Sequence, residues 1–329
     1  MNVALMGSVS SSWHALDALI RGGVELTCVL GVDESQAERI SDYRSLRQLA
    51  QDAAIPFVAF RKVSEPQVER ALRENPPDLL WVIGLSQLVP RPLIELARHG
   101  GVGFHPTLLP EGRGRAPVAW TILKGARAAA NLFFLTDEPD AGDIITQREV
   151  PVLPDDYSAD LIARTNLALA EAILELAPAI RSGRLPRTPQ DHSRATYYPK
   201  RTPADGLIDW SQSAADVYRL IRAAGRPYPG AFTFLEGRKL TIWRAQPAPA
   251  LARPASAAAK PARTAAQSAQ TGARFAPTPG QSALGRVQDI DGAGRPLVGA
   301  ADGALRLTEV SFEDGGEASV KLGARLGAQ

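Results

Sequence analysis

Cysteine is nearly absent. The chain of 329 residues carries one, Cys28, so no intramolecular disulfide can form, and its place in the apolar, strand-like run 24–32 reads as a buried core thiol. A reducing compartment fits that usage. Excess charge of either sign is also missing: 37 Lys and Arg against 35 Asp and Glu leave a formal net charge of +2, with the two signs interleaved. Such a balance gives no strong field to gather nucleic acid. No charged segment with a following apolar core opens the chain, and no apolar run approaches the ~18–20 residues of a membrane span. We therefore read the protein as cytoplasmic and without a membrane partner. The loop GSVSSS, residues 7–12, has neither the dinucleotide glycine spacing nor the lysine of a P-loop, so it carries little weight as a phosphate cradle. Histidines number four: His14 reads as a helix-surface residue, His99 as a helix C-terminal charge and His192 as an exposed loop residue, which leaves His105.

What is present is a chain of 45% hydrophobic residues, enough for a sizeable core and for two domains. Short apolar runs at 2–6, 24–32, 56–59 and 78–84 alternate with amphipathic stretches at 13–21, 43–53 and 65–74. This alternation predicts an α/β fold with a doubly wound parallel sheet. Further helices are expected over 90–98, 116–125 and 159–180, and strands over 131–135 and 144–150. The first domain is expected to span 1–183, a polar, Pro-rich linker 184–211, and a small β-barrel 212–329. The barrel is interrupted at 247–281 by a stretch rich in Ala and Pro that holds only Leu251 and Phe275 as large apolar residues. Too little surface can be buried there to offset ordering, so it is expected to be disordered.

Two stretches carry chemistry. In GVGFHPTLLPEGRGRAP, residues 101–117, the run Val102, Gly103, Phe104 reads as the end of a buried strand. His105 then sits at a strand's carboxyl end, where open α/β sheets place ligands. Pro106 and Pro110 stiffen the loop that follows. Gly112 and Gly114 allow close backbone approach, and Arg113 and Arg115 supply forked donors suited to phosphate or carboxylate. Alone, the stretch reads sooner as a structural histidine beside two solvated arginines, and a second stretch reverses that. The second stretch is TDEPDAGDII, residues 136–145, a loop between two strand-like runs. A solvated acidic turn accounts for Asp137, Glu138 and Asp143. Asp140 differs, because Ala141-Gly142 suits a tight turn that aims its carboxylate inward.

HPTLLPEGRGRAP followed by DAGDII resembles the core of the tetrahydrofolate-dependent formyltransferases, which act on methionyl-tRNA, glycinamide ribonucleotide and nucleotide sugars. The family pattern is Asn-x-His-Pro-Ser-Leu-Leu-Pro, with an Asp of a later Asp-x-Gly completing an Asn, His, Asp site. His105 and Asp140 match, whereas the Asn position is Gly103. The resemblance implies a Rossmann-like core with an OB-like C-terminal barrel, 10-formyltetrahydrofolate as formyl donor and no metal. It implies a pteridine site made largely of backbone groups from Ser86, Gln87, Leu88 and Val89 and from Thr136, Asp137, Glu138 and Pro139, with apolar contact from Leu88 and Val89. Pro106, Thr107, Arg113 and Arg115 would face the acceptor. The family's Asn is taken to hydrogen-bond the formyl oxygen as charge develops on it; glycine cannot, and loss of one such donor costs on the order of 10²–10³ in rate. Ser86, Gln87 and Asn131 are substitutes by residue type.

Residues 195–232 resemble the segment that joins the two domains in methionyl-tRNA and aminosugar formyltransferases. Within it Tyr198, Lys200, Arg201 and Arg222 either reach an anionic substrate or are solvated linker charges. SDY at 41–43 resembles the small-molecule amine branch, and the basic loop of the methionyl-tRNA enzymes is missing. The expected activity is formyl transfer to the amine of a small, phosphate-bearing acceptor, first of all a nucleotide-linked aminosugar. The alternatives are formylation of methionyl-tRNA, or a folate- or nucleotide-binding relative impaired in catalysis by Gly103. A homodimer is compatible with these readings.

Overall fold

The sheet that organises the first half of the chain has at its centre strands that are apolar along nearly their whole length, the pattern expected when both faces are covered. In the computed structural model, which describes residues 1–248, 284–316 and 320–327, β1 (Val3–Gly7) is buried at every position. Its alternate side chains serve two cores. Val3 and Leu5 pack with Leu16 and Leu19 of α1 (Ser10–Arg21), whereas Ala4 and Met6 pack with Cys28 and Leu30 of β2 (Leu26–Val32) on the opposite face. Burial pushes the Cys28 thiol up to about 11, which keeps it protonated and unreactive at neutral pH.

The chain continues through α2 (Arg47–Asp52), β3 (Phe57–Phe60), α3 (Pro66–Glu74), β4 (Leu79–Ile83), α4 (Arg91–Ile94) and β5 (Gly101–His105). A two-residue strand β6 (Arg113–Gly114) and helix α5 (Pro117–Lys124) lead to β7 (Ala128–Phe134), β8 (Ile144–Val150) and the long α6 (Ser158–Ser182). Sheet order is β3-β2-β1-β4-β5-β7-β8. The five strands from β3 to β5 are mutually parallel, as alternation predicts. β7 runs antiparallel to β5, and β8 antiparallel to β7. A parallel crossover needs a helix that carries the chain back along the sheet, and β7 instead starts from the edge where β5 ends.

Two expected helices are shorter than their periodicity suggests. Over 43–53 only Arg47–Asp52 is helical, because Asp42 takes a left-handed φ of 63° and Tyr43 is bridged to Val9. Over 90–98 only Arg91–Ile94 is α-helical.

The residues Met1–Asp205 and Arg222–Pro229 form one compact unit, with the two-residue strand β9 (Tyr197–Tyr198) paired parallel to β6. The other unit, residues 206–221 and 230–329, holds most of α7 (Ala214–Ala224). It also holds β10 (Ala231–Leu235), β11 (Arg238–Ala248), β12 (Val287–Ile290), β13 (Pro296–Gly299), β14 (Ala304–Phe312) and β15 (Leu326–Gly327). These six make an antiparallel sheet in the order β12-β13-β14-β11-β10-β15. Hydrogen bonds from Val287 N to Ala324 O (2.8 Å), Gly323 N to Val287 O (2.9 Å) and Leu326 N to Gly285 O (2.6 Å) join its two edges, so the sheet curls into a small barrel. Pro247 and Ala248, expected to begin the Ala/Pro-rich insertion, instead end β11 and pair with Leu305 and Ala304; the remainder, 249–281, lies outside the described residues. Among the described residues no helix is long and apolar enough to cross a membrane.

Candidate functional site

Parallel register brings Gly7 beside Ile83 and Val82 beside Gly103, so the carboxyl ends of β1, β4 and β5 share one edge with His105 upon it. His105 is 5% exposed. Its strand end is held from below by polar side chains of the two antiparallel strands. Asn131 of β7, in register with His105, donates its amide to the carbonyls of His105 (2.7 Å) and Thr107. Gln147 of β8 donates to Leu109 O (2.8 Å). Thr107 is buried and donates to Glu111 O (2.8 Å). The loop after β5 is therefore fixed by side-chain donors, which satisfy the carbonyls of Thr107, Leu109 and Glu111 outside the sheet ladder.

The acidic loop folds across β5 and brings Asp140 to His105, Oδ2 lying 3.5 Å from Nδ1. Asp140 has a left-handed φ of 56°, a conformation that Asp and Asn accept more readily than other side chains. Gly142 is required for a different reason: a Cβ there would stand 1.8 Å from Phe134 O. The Gly114 N–H donates to Asp140 Oδ2 (2.8 Å), and His105 Nε2 lies 2.8 Å from Gly112 O. A carbonyl only accepts, so Nε2 carries a proton, and Nδ1 faces a carboxylate.

Gly103 has the extended backbone of its strand, and the space its side chain would enter is taken: a Cβ would lie 2.8 Å from both Leu135 Cδ2 and Phe133 Cζ. The three substitutes named by residue type offer no amide donor here. Asn131 spends its Nδ2 on two carbonyls, Gln87 is bound at both ends to the backbone of Val63 and Arg61 (2.9 Å each), and Ser86 is exposed.

The expected pteridine residues separate. Val89 is 7% exposed and belongs to the core under the sheet, while Leu88, at 87% exposure, is free. Thr136, Asp137 and Glu138 border an open cleft of about 490 Å³, with Gly101, Leu135 and Arg187 among its walls. Pro139 is exposed on the same loop. His99 and His192, read from sequence as surface residues of no particular role, also line this cleft. Arg187 lies 3.7 Å over the Phe134 ring and 3.4 Å from Asp143.

Arg113 corrects the expectation of a free fork. It is fully buried, with its guanidinium on Gln190 Oε1 (2.8 and 3.3 Å), Tyr197 OH (3.0 Å), Glu138 Oε1 (3.2 Å) and His192 Nδ1 (3.3 Å). The hydrogen bond from the Tyr197 hydroxyl, with Arg113 nearby, holds the Glu138 carboxyl below its usual range. Arg115 is exposed and its side chain meets no acceptor among the described residues, and Pro106 is half-buried. Gln190, which sequence reasoning missed, donates to Asp140 O (2.8 Å) and Gly142 O (2.7 Å). Of the linker charges, Arg222 is buried and donates to Asp156 O (2.9 Å), and Arg201 lies 5.2 Å over the Trp120 ring. Tyr198 is buried against Gly112, and Lys200 is exposed.

Comparison with known proteins identifies the family. A family model described as "Formyl transferase" matches residues 1–176, and one described as "Formyl transferase, C-terminal domain" matches residues 200–322. The chain belongs to the formyl transferase family. Solved structures share its fold at low identity. HypX from Aquifex aeolicus in complex with tetrahydrofolic acid is 18% identical, with a TM-score of 0.64 over 98% of this chain and 45% of that one. WlaRD, a sugar 3N-formyl transferase solved with dTDP and 5-N-formyl-THF, is 14% identical, with a TM-score of 0.61 over 94% of this chain and 98% of that one. A 4-N formyltransferase from Francisella tularensis is 19% identical, with a TM-score of 0.57 over 72% and 94%. This chain thus spans under half the length of the HypX chain it matches.

Proposed function

We propose that this protein moves a formyl group from 10-formyltetrahydrofolate to the amine of a small, phosphate-bearing acceptor, with a nucleotide-linked aminosugar as first candidate. The observation that carries the reading is the approach of half-buried Asp140 to buried His105, 3.5 Å apart at the carboxyl end of β5. HypX, solved with tetrahydrofolic acid, and WlaRD, a sugar 3N-formyl transferase solved with dTDP and 5-N-formyl-THF, support a folate donor and a nucleotide-bearing acceptor by likeness of fold.

The acceptor nitrogen attacks the formyl carbon, and a tetrahedral oxyanion forms. An imidazolium N–H of His105 stabilises that charge, and Asp140 keeps the ring oriented and charged. The bond from carbon to N10 then breaks, the acceptor nitrogen loses a proton with help from Asp140 directly or through water, and N10 regains one. His105 Nε2 lies at hydrogen-bond distance from Gly112 O here, so transfer requires the Nε2–H to turn from the Gly112 carbonyl to the substrate; catalytic hydrogen bonds often tighten only in the substrate complex. The cleft beside Thr136, Asp137 and Glu138 is the place we assign to the pteridine, with exposed Leu88 as an apolar lid and Arg115 as the cation open to an acceptor phosphate.

The test is a mass-shift screen of aminosugar nucleotides and other amines with 10-formyltetrahydrofolate, in which addition of one formyl group to an amine is expected. Absence of any formylated product over the panel sinks the reading. Gly103 motivates a second: no side chain at that position donates, and Phe133 and Leu135 fill its space. A binding protein of the same family would retain a folate analogue and turn over no amine.

A further inference from the structure

We propose that Gln190 and Arg113 are positioning residues that fix the Asp140 carboxylate against His105. The proposal rests on the formyl-transfer reading and adds to it two residues that act through Asp140.

Gln190 is 7% exposed and Arg113 is fully buried. The amide of Gln190 has one orientation that satisfies its surroundings. Its Nε2 donates to the carbonyls of Asp140 (2.8 Å) and Gly142 (2.7 Å), and its Oε1 accepts from Arg113 Nη2 (2.8 Å) and Nε (3.3 Å). Carbonyls only accept and a guanidinium only donates, so the amide cannot turn over. Arg113 lies between Gly112, whose carbonyl meets His105 Nε2, and Gly114, whose N–H meets Asp140 Oδ2. Its strand is pinned in turn by Arg113 N to Thr196 O (2.9 Å) and Arg115 N to Tyr198 O (3.0 Å). A closed circuit results: the backbone of Asp140 is gripped by Gln190, Gln190 by Arg113, and the strand of Arg113 touches both Asp140 and His105. Asp140 is held in a left-handed conformation, which persists only where its surroundings over-determine it.

Two substitutions separate positioning from packing. Gln190→Glu keeps the size and the link to Arg113 but sets an oxygen against the Asp140 and Gly142 carbonyls. Gln190→Met keeps the volume and removes both links. In the full chain, proton NMR should show a downfield, slowly exchanging ring N–H resonance, assigned to His105 by its loss in His105→Gln and to the Asp140 contact by its loss in Asp140→Asn. In both Gln190 variants that resonance is expected to shift upfield or vanish while thermal unfolding stays cooperative. Under the same conditions kcat for formyl transfer should fall about 10- to 100-fold with KM for the amine little changed, the signature of a misplaced group rather than a lost binding contact. A wild type that lacks the resonance, or folded variants that keep it unshifted, overturns the proposal. If Gln190→Glu fails to fold, Gln190→Met and Gln190→Asn carry the same comparison. If the wild type formylates no amine, the formyl-transfer reading falls, and the resonance alone decides whether Gln190 and Arg113 position Asp140.

Discussion

At the scale of single residues, Gly103 and Asp140 invite opposite treatment. Gly103 has no left-handed φ, so an Asn there would meet no backbone strain; it would meet Phe133 Cζ and Leu135 Cδ2 at 2.8 Å. Overpacking of this kind costs about 1–3 kcal/mol. Gly103→Asn is therefore expected to lower the midpoint of denaturant unfolding and to leave the single-turnover rate of formyl transfer unchanged or reduced. A clear rise in that rate would show that the missing donor was the bottleneck. Asp140, with φ at 56°, is better tested by Asn than by Ala, because Asn accepts the same backbone and removes only the charge. Asp140→Asn should keep the fold and cost on the order of 10²-fold or more in kcat, in the range that general acid–base groups contribute. Wild-type kcat in this variant would remove Asp140 from the mechanism. His105 and Asp140 were both legible in the sequence because each stands in a short stretch whose prolines and glycines constrain it. Gln190 was not, since its two carbonyl partners and its guanidinium partner lie in other segments of the chain and only the fold assembles them.

At the scale of elements, the parallel strands were readable from runs of apolar residues, and the turn to antiparallel at β7 was not, because periodicity records burial and not direction. The same limit explains Leu88 and Val89: adjacent apolar residues, of which the turn after β4 sends Val89 into the core and leaves Leu88 outside. The start of α6 yields a quantitative expectation. Asp156 is 5% exposed. Burial alone would raise its carboxyl, but the Arg164 guanidinium, at 2.6 and 2.9 Å, and the Leu153 N–H, at 2.7 Å, outweigh it and hold the group below its ordinary value of 3.8. A carboxyl depressed in the folded state stabilises the fold above the unfolded value and loses that contribution as pH falls through the folded one. Arg164→Met is accordingly expected to cost about 1–3 kcal/mol at pH 7, the range for a buried charged group left with fewer partners. The difference from wild type should narrow as pH drops below about 4, where unfolded Asp takes up its proton. Urea titrations of both proteins at neutral and acid pH check this; a gap that persists unchanged in acid would assign the effect to packing of the Arg164 stem.

At the scale of the whole molecule, many exposed charges meet an opposite charge close by. Arg148 meets Glu171 and Glu175, Arg127 meets Glu149, Arg91 meets Asp137 and Glu95, and Arg238 meets Asp314. Surface pairs of this kind add little stability each, but they interleave the two signs, in keeping with a formal net charge of +2. A protein that binds nucleic acid through several phosphate contacts loses affinity by about 10³–10⁵ between 50 and 200 mM salt. One that holds a single diphosphate through Arg115 and backbone groups replaces far fewer counterions. The activity proposed here should therefore show a shallow dependence of kcat/KM on salt with aminosugar nucleotides, and formylation of aminoacylated initiator tRNA should be slower by at least about two orders of magnitude at physiological ionic strength. Parallel assays across that salt range separate the two acceptors. Comparable rates on both, together with a steep salt slope on the tRNA, would mean that a basic surface forms despite this balance of charge and would make tRNA the acceptor.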